Sequence, residues 1–151
     1  MTIPKGLVGT NAADPAPDHG IGITLSEQPK AHIWTSAYYI GDPEASVDKD
    51  VDNFIEYTKK YDASWLEVLG REPARLHNLP AVRAVLRYQA RETGEVMIND
   101  SVTAFRTGAE TGVPDGITYA VGLSTPESRY PQDKAVYEQV VGSWRARRVT
   151  E

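Results

Sequence analysis

Few residues of this chain have a type and spacing that could support catalysis. The sequence has three histidines, His19, His32 and His77, and no cysteine, so thiolate nucleophiles, cysteine-ligated metals and disulfides are excluded. A Ser-His-Asp triad would need a histidine beside an activated serine, and no Gly-x-Ser-x-Gly elbow occurs. The sequence therefore predicts no catalytic residue of a familiar type.

Metal and phosphate sites are also not indicated. Asp14, Asp18 and His19 could offer ligands to a metal ion, but they lie in a segment rich in Pro and Gly without the spacing of a metal site. The glycines between residues 108 and 116 lack the Lys and Ser/Thr that a phosphate loop uses. We therefore expect no metal and no cofactor.

Asp100 is the most unusual acidic residue because it interrupts an otherwise apolar strand face. The apolar members of that face are Val96, Ile98, Val102 and Ala104. A carboxylate in this position either pairs with a strand arginine or lies in a pocket with a shifted pKa. The pocket alternative would suit a small cofactor-free enzyme that uses Asp100, Tyr88 or His32 as acid or base.

A stripe of arginines is the first candidate for a binding surface. Its members are Arg83, Arg87, Arg91 and, on the next strand, Arg106. If no helix covers this face, the arginines form a flat polar surface with Gln89 and Thr103, and such a surface suits an acidic protein partner. Otherwise the stripe is a solvated sheet face.

Two aromatic residues of an earlier strand are further candidates for binding. Trp34 and Tyr38 fall in a segment rich in Ile, Trp, Thr and Tyr, which is typical of a strand. They are expected to be core or sheet-surface aromatics, and on an exposed face they would anchor a protein partner.

These candidates are positioned by two predicted groups of strands. Ile21, Ile23 and Leu25 alternate with small or polar residues, and residues 32–40 are rich in strand formers, so a hairpin is expected around Pro29. A second group begins near Pro80, where apolar residues alternate with a largely cationic set. Two further runs, at 96–106 and 117–123, complete an antiparallel meander.

Two amphipathic helices are predicted, at residues 46–61 and 131–145. In the first, Ser46 is a suitable N-cap and an apolar stripe recurs at helical spacing. In the second, Pro131 lies near the first helical position and Val136, Val140 and Trp144 align. Residues 64–70 carry signals for both a short helix and a strand, so their structure stays open.

The sequence thus predicts an α+β fold: an antiparallel sheet of about five to seven strands with two main helices. Residues 1–20 would form an extended lead-in, with a short strand at 3–8, and residues 21–151 a single domain. A net charge of −5 with scattered basic residues argues against nucleic acid. No apolar run is long enough to insert into a membrane.

Three segments of the chain resemble the PsbP-like (Mog/PsbP) fold. They are Ile3-Pro4-Lys5-Gly6-Leu7, Leu79-Pro80-Ala81-Val82-Arg83 and Val136 to Arg145 with its Ser-Trp-Arg ending. The resemblance spans nearly the whole chain. It implies mostly non-enzymatic roles, since its members include an extrinsic photosystem II subunit, a nuclear-import Ran-binding factor, bacterial lipoproteins and secretion-effector chaperones. These roles use different surfaces, so no residue-level function is transferred.

The preferred hypothesis is a bacterial, non-catalytic binding or accessory protein with a protein partner. The alternatives are the cofactor-free enzyme and a chaperone for a secreted effector, which would display an apolar groove for a helix. The sequence does not fix the compartment. The protein would be extracytoplasmic or periplasmic if an export signal or an upstream lipid anchor had been removed, and cytoplasmic otherwise.

Overall fold

The structure, a computed structural model, describes residues 8–11, 21–38, 46–107 and 116–145. In these parts of the chain, seven antiparallel strands form one sheet in the order β1-β2-β3-β7-β6-β5-β4. The strands are β1 Val8–Asn11, β2 Ile21–Glu27, β3 Lys30–Tyr38, β4 Ala63–Leu76, β5 Leu79–Ala90, β6 Val96–Arg106 and β7 Ile117–Pro126. The predicted hairpin and the meander are thereby confirmed, and β3 joins the two groups by pairing with β7.

The segment left open by the sequence, residues 64–70, belongs to β4, a long strand at the edge of the sheet. A register shift between Val68 and Gly70 leaves Leu69 as the extra residue of a bulge, and Pro73 is tolerated because β4 has a neighbour on one side only in the described sheet. The chain then reverses through His77, whose φ of 57° lies in the left-handed region.

Both predicted helices are confirmed. Helix α1 spans Val47–Tyr57 and continues as a π-helical turn, Thr58–Asp62. Ser46 caps α1, since its hydroxyl accepts a hydrogen bond from the Lys49 amide at 3.2 Å. Helix α2 spans Tyr130–Ser143, follows a 3₁₀ turn at Glu127–Arg129 and carries proline in its first turn.

The two helices pack on opposite faces of the sheet. Successive residues of a strand point to opposite sides, so each face carries its own set of apolar side chains. On the α2 face, Val121 and Leu123 pack in one apolar cluster with Tyr137 and Val140 of the helix. On the α1 face, a smaller cluster joins Ala84 and Leu86 of β5 to Val51 and Ile55. The described residues therefore form two apolar cores, one on each face of the sheet.

Part of the predicted lead-in contributes to the sheet, since Val8–Asn11 pairs with β2 as an edge strand. The rest of residues 1–20, including most of the strand predicted at 3–8 and the side chains of Asp14, Asp18 and His19, lies outside the described residues. Neither helix in the described part of the chain has the length and apolar character needed to span a bilayer.

Candidate functional site

Asp100 is fully buried on the α2 face and is paired with a strand arginine, as one of the two sequence-based alternatives predicts. The Arg83 guanidinium donates two hydrogen bonds to it, from Nε at 2.9 Å and from Nη2 at 2.6 Å. The Tyr130 hydroxyl, from the start of α2, donates a third at 2.7 Å. We call Asp100, Arg83 and Tyr130 the Asp100 cluster.

The Asp100 cluster holds its protons firmly. The hydrogen bond to Asp100 raises the pKa of the Arg83 guanidinium, and burial together with Asp100 raises the pKa of the Tyr130 phenol. Burial also raises the pKa of the neighbouring Tyr137. Neither the arginine nor the phenols would exchange a proton near neutral pH, so the cluster is suited to holding α2 against the sheet.

The arginine stripe is covered at Arg83, because the segment that contains α2 crosses its face. In addition to its bonds to Asp100, Arg83 places its Nη2 atom 3.8 Å from Oε1 of Glu138 in α2. Arg87 forms ion pairs with Glu127 of the 3₁₀ turn and with Glu67 of β4. The condition for a flat, exposed arginine surface, that no helix covers it, is therefore not met at Arg83.

The other members of the stripe lie apart. Arg91 follows β5 and donates hydrogen bonds to the carbonyls of Ala63 at 2.7 Å and Lys59 at 3.2 Å, which ties the hairpin turn to the π-helical turn. Arg106 lies at the far end of β6, opposite Ile117. Thr103 pairs in register with Val82, so its side chain lies on the α1 face rather than beside the arginines.

Trp34 lies half-buried on the α1 face, where its ring centroid is 6.2 Å from that of Phe54 in α1. It fits against the sheet because Gly122 of β7 has no side chain: a Cβ at that position would meet the indole at 2.2 Å. Tyr38 ends β3 opposite Thr118, and its side chain is outside the described part of the structure. Trp34 is thus a packing residue that also lines a cavity.

That cavity, of about 370 Å³, lies between α1 and the sheet. Its polar lining includes the buried carboxylate of Asp50, which accepts a hydrogen bond from Thr118 at 2.7 Å. A larger cavity, of about 550 Å³, opens on the same face past the end of α1, and we call it the His32 cavity. Its walls come from β3, β5, β6, β7, the π-helical turn and the turn after β5.

His32 and Tyr88, two of the three acid–base candidates of the enzyme hypothesis, both line the His32 cavity, whereas Asp100 lies on the opposite face. Burial, with Lys30 nearby, lowers the pKa of His32, so the imidazole is neutral at neutral pH. Tyr88 hydrogen-bonds Ser124, and burial raises the pKa of its phenol. His32 and Tyr88 are therefore uncharged members of the cavity lining near neutral pH.

Two buried polar atoms on the α1 face find no hydrogen-bond partner among the described residues, His32 Nδ1 and Asn99 Oδ1. The two residues are linked through Ser124 of β7, which is in register with His32 on one side and Asn99 on the other. Such atoms are costly to bury unless something satisfies them. Sequence reasoning missed Asn99, because only the strand register places it near His32.

The exposed large apolar side chains of the described residues lie at the end of α1 and on both faces of the first half of β4. In the described part of the chain they are Tyr57, Tyr61, Trp65, Val68 and Leu69. Three of them, Trp65, Val68 and Leu69, lie on β4 and are 40–49% exposed. Arg87 lies over the Trp65 ring at 5.1 Å from its centroid. We call Trp65, Val68, Leu69 and Arg87 the edge patch.

No cluster of three or more His, Asp or Glu side chains suited to a metal ion occurs within residues 8–11, 21–38, 46–107 and 116–145. None of the candidate sites therefore has a metal-binding arrangement in this part of the chain.

Comparison of the sequence with protein-family models gave no match, and comparison with curated proteins gave no significant match. Solved structures do match. PA94 of Pseudomonas aeruginosa, a protein of unknown function, is 14% identical with a TM-score of 0.62, over 95% of this chain and 85% of that one. Cyanobacterial PsbP from Synechocystis sp. PCC 6803 is 14% identical with a TM-score of 0.59, over 95% and 84%.

LpqN, which is involved in cell envelope biogenesis of Mycobacterium tuberculosis, is 11% identical with a TM-score of 0.56, over 92% of this chain and 90% of that one. At such identities the likeness concerns architecture, because function depends on sites rather than on the fold. The resemblance seen in the sequence is confirmed at that level: this chain has the PsbP-like α+β fold.

Proposed function

We propose that this protein is a non-catalytic accessory protein that binds an extended segment of a partner protein along the open edge of β4. The observation that carries the proposal is the confinement of the exposed large apolar side chains, among the described residues, to the end of α1 and the first half of β4. Apolar side chains beside unpaired strand edges mark protein-binding sites.

The chemistry of the edge patch supports an added strand. β4 pairs only with β5 in the described sheet, so its outer amides and carbonyls are free to pair with another strand. Trp65 on one face of the strand and Val68 on the other would each contact side chains of the added segment on the same face. The patch therefore suits a partner segment that carries apolar residues.

Only the first half of β4 suits such pairing. The bulge at Val68/Gly70 twists the strand, and Pro73 and a run of charged residues protect the second half, as edge strands commonly do. An open strand edge pairs with an extended segment better than with a helix. The edge of β4 therefore favours strand addition over the helix-binding groove of an effector chaperone. The shared fold with PsbP and LpqN is consistent with an accessory role.

The test is site-specific cross-linking in extracts of the source organism. A photoreactive amino acid at Leu69 should cross-link a discrete partner, and the same label at Glu72, beyond the bulge, should not. Leu69→Lys with Trp65→Ser should abolish capture of that partner, whereas Glu72→Lys on the same strand should retain it.

Two outcomes would refute the proposal. In one, the patch variants capture the same protein as the unmodified chain. In the other, the isolated chain dimerises through β4, as shown by sedimentation equilibrium and by cross-linking between Leu69 residues, because a second copy would then occupy the edge.

A further inference from the structure

We propose that the His32 cavity binds a small aliphatic amine, with its ammonium group held by the acidic rim and its methylene chain against Tyr88, Ala90 and Met97. This is a second site, separate from the edge patch and directed at a small molecule rather than a protein. Three observations lead to it: the volume of the cavity, the charge of its lining and its aromatic residues.

The volume of the cavity is suitable for a small molecule. At about 550 Å³ it lies within the range of roughly 300–1,000 Å³ that is usual for small-ligand sites. Its walls come from six separate elements of the sheet and the turns around it, so they are positioned by the fold and not by one loop. A ligand would therefore meet a largely preformed site.

The charge of the lining selects the ligand class. Three acidic residues line the cavity and form what we call the acidic rim: Asp62, Glu92 and Glu95. Lys30 brings one ammonium group. His32 adds no charge at neutral pH because its pKa is lowered. A cavity whose lining has a net negative charge attracts cations and repels phosphates and carboxylates. Phosphorylated metabolites and organic acids are therefore unfavourable ligands.

The aromatic residues add a second attraction for a cation. The rings of Tyr61 and Tyr88 line the cavity, and ammonium groups bind tyrosine faces at exposed sites with modest affinity. The Tyr61 ring already attracts one, since Lys60 Nζ lies 5.2 Å from its centroid. The Ser124 and Thr93 hydroxyls complete the set of acceptors that an ammonium group could use.

The experiment uses 1,4-diaminobutane as the probe, with 1,4-butanediol and succinate as neutral and anionic controls of the same length. Isothermal titration calorimetry at pH 7.5 should give a dissociation constant of about 1 mM or lower for the diamine, and much weaker binding of both controls. Amide chemical shifts of His32, Thr93 and Ser124 should move most on titration.

Two variants of equal net charge distinguish binding at the cavity from non-specific attraction by the overall charge of the protein. Asp62→Asn with Glu92→Gln and Glu95→Gln should weaken diamine binding by about tenfold or more, because the rim carboxylates are lost. Glu56→Gln with Glu72→Gln and Glu138→Gln removes as many charges outside the cavity and should leave binding within about twofold. Circular dichroism confirms that both variants fold.

The proposal is overturned if the diamine at 10 mM, about ten times the expected dissociation constant, gives neither binding heat nor chemical-shift changes. Equal affinity for 1,4-butanediol would also overturn it, as would an equal loss of diamine affinity in the two triple variants. Largest shifts around Asp50 in the smaller cavity would also overturn it. None of these results bears on the edge patch, because the rim carboxylates and the cross-linking positions on β4 are different residues.

Discussion

Asp100 and Asn99 are consecutive residues of β6, and they point to opposite faces of the sheet. On the α2 face, Asp100 is bonded to Arg83 and Tyr130. On the α1 face, Asn99 is nearly as buried, but its side-chain oxygen finds no partner in the described part of the chain. Burial alone therefore does not show whether a polar side chain has its hydrogen-bond partners.

The largest expected effect comes from breaking the Asp100 cluster. Arg83→Met removes two hydrogen bonds and leaves the buried Asp100 carboxylate without its positive partner, so unfolding free energy should fall by about 3–5 kcal/mol. The double variant Arg83→Met with Asp100→Leu removes both charges and should recover most of that loss. Urea denaturation measures both, and an equal loss in single and double variants would contradict a paired cluster.

A smaller effect is expected where the α1 face is tightly packed. Gly122→Ala would place a Cβ at 2.2 Å from the Trp34 indole, so the ring must move and unfolding free energy should fall by about 1–3 kcal/mol. Gly142→Ala is the matched control, because a Cβ there meets nothing within 4 Å and Ala favours a helix. Thermal unfolding should separate the pair. A Gly122→Ala protein as stable as Gly142→Ala would disprove the close contact.

The smallest effect is expected at His32. Because Nδ1 has no partner among the described residues, His32→Leu should change unfolding free energy at pH 7.5 by less than about 1 kcal/mol. Its lowered pKa means that the unfolded chain binds the proton more readily. The His32 contribution is therefore complete above about pH 6.5 and is lost as pH falls through the folded-state pKa.

Denaturant titrations between pH 7.5 and pH 5 test this pH dependence. The unmodified protein should lose more stability over this interval than His32→Leu does, because only the former must protonate a buried imidazole. Identical slopes for the two proteins would show that His32 titrates as freely in the folded state as in the unfolded chain.

Local pattern was enough to predict β2, β3, β5, β6 and β7, both helices and the presence of Asp100 on an apolar face. The alternation after Pro80 corresponds to β5, and Ser46 caps α1 as its residue type favours. Residues 64–70 stayed open because Gly70 and Pro73 usually interrupt strands, and only an edge position tolerates both.

The candidate sites depended on information that no local pattern contains. Pairing of Asp100 with a strand arginine was one of two alternatives, but the role of Tyr130 depends on where α2 crosses the sheet. The arginine stripe is regular in sequence, yet Glu127 and Glu138 meet it only in the folded chain. His32 and Asn99 are related through the register of three strands, which is a tertiary property.

The most direct test of the difference between the two faces compares Asp100→Leu with Asn99→Leu by urea denaturation at pH 7.5. Both changes place a leucine of similar size at a buried position of the same strand. Asp100→Leu should lower the unfolding free energy by about 3–5 kcal/mol, since it leaves Arg83 and Tyr130 without their acceptor. Asn99→Leu should leave it unchanged within about 1 kcal/mol or raise it, because an unpaired oxygen is removed. Equal losses at the two positions would contradict the account.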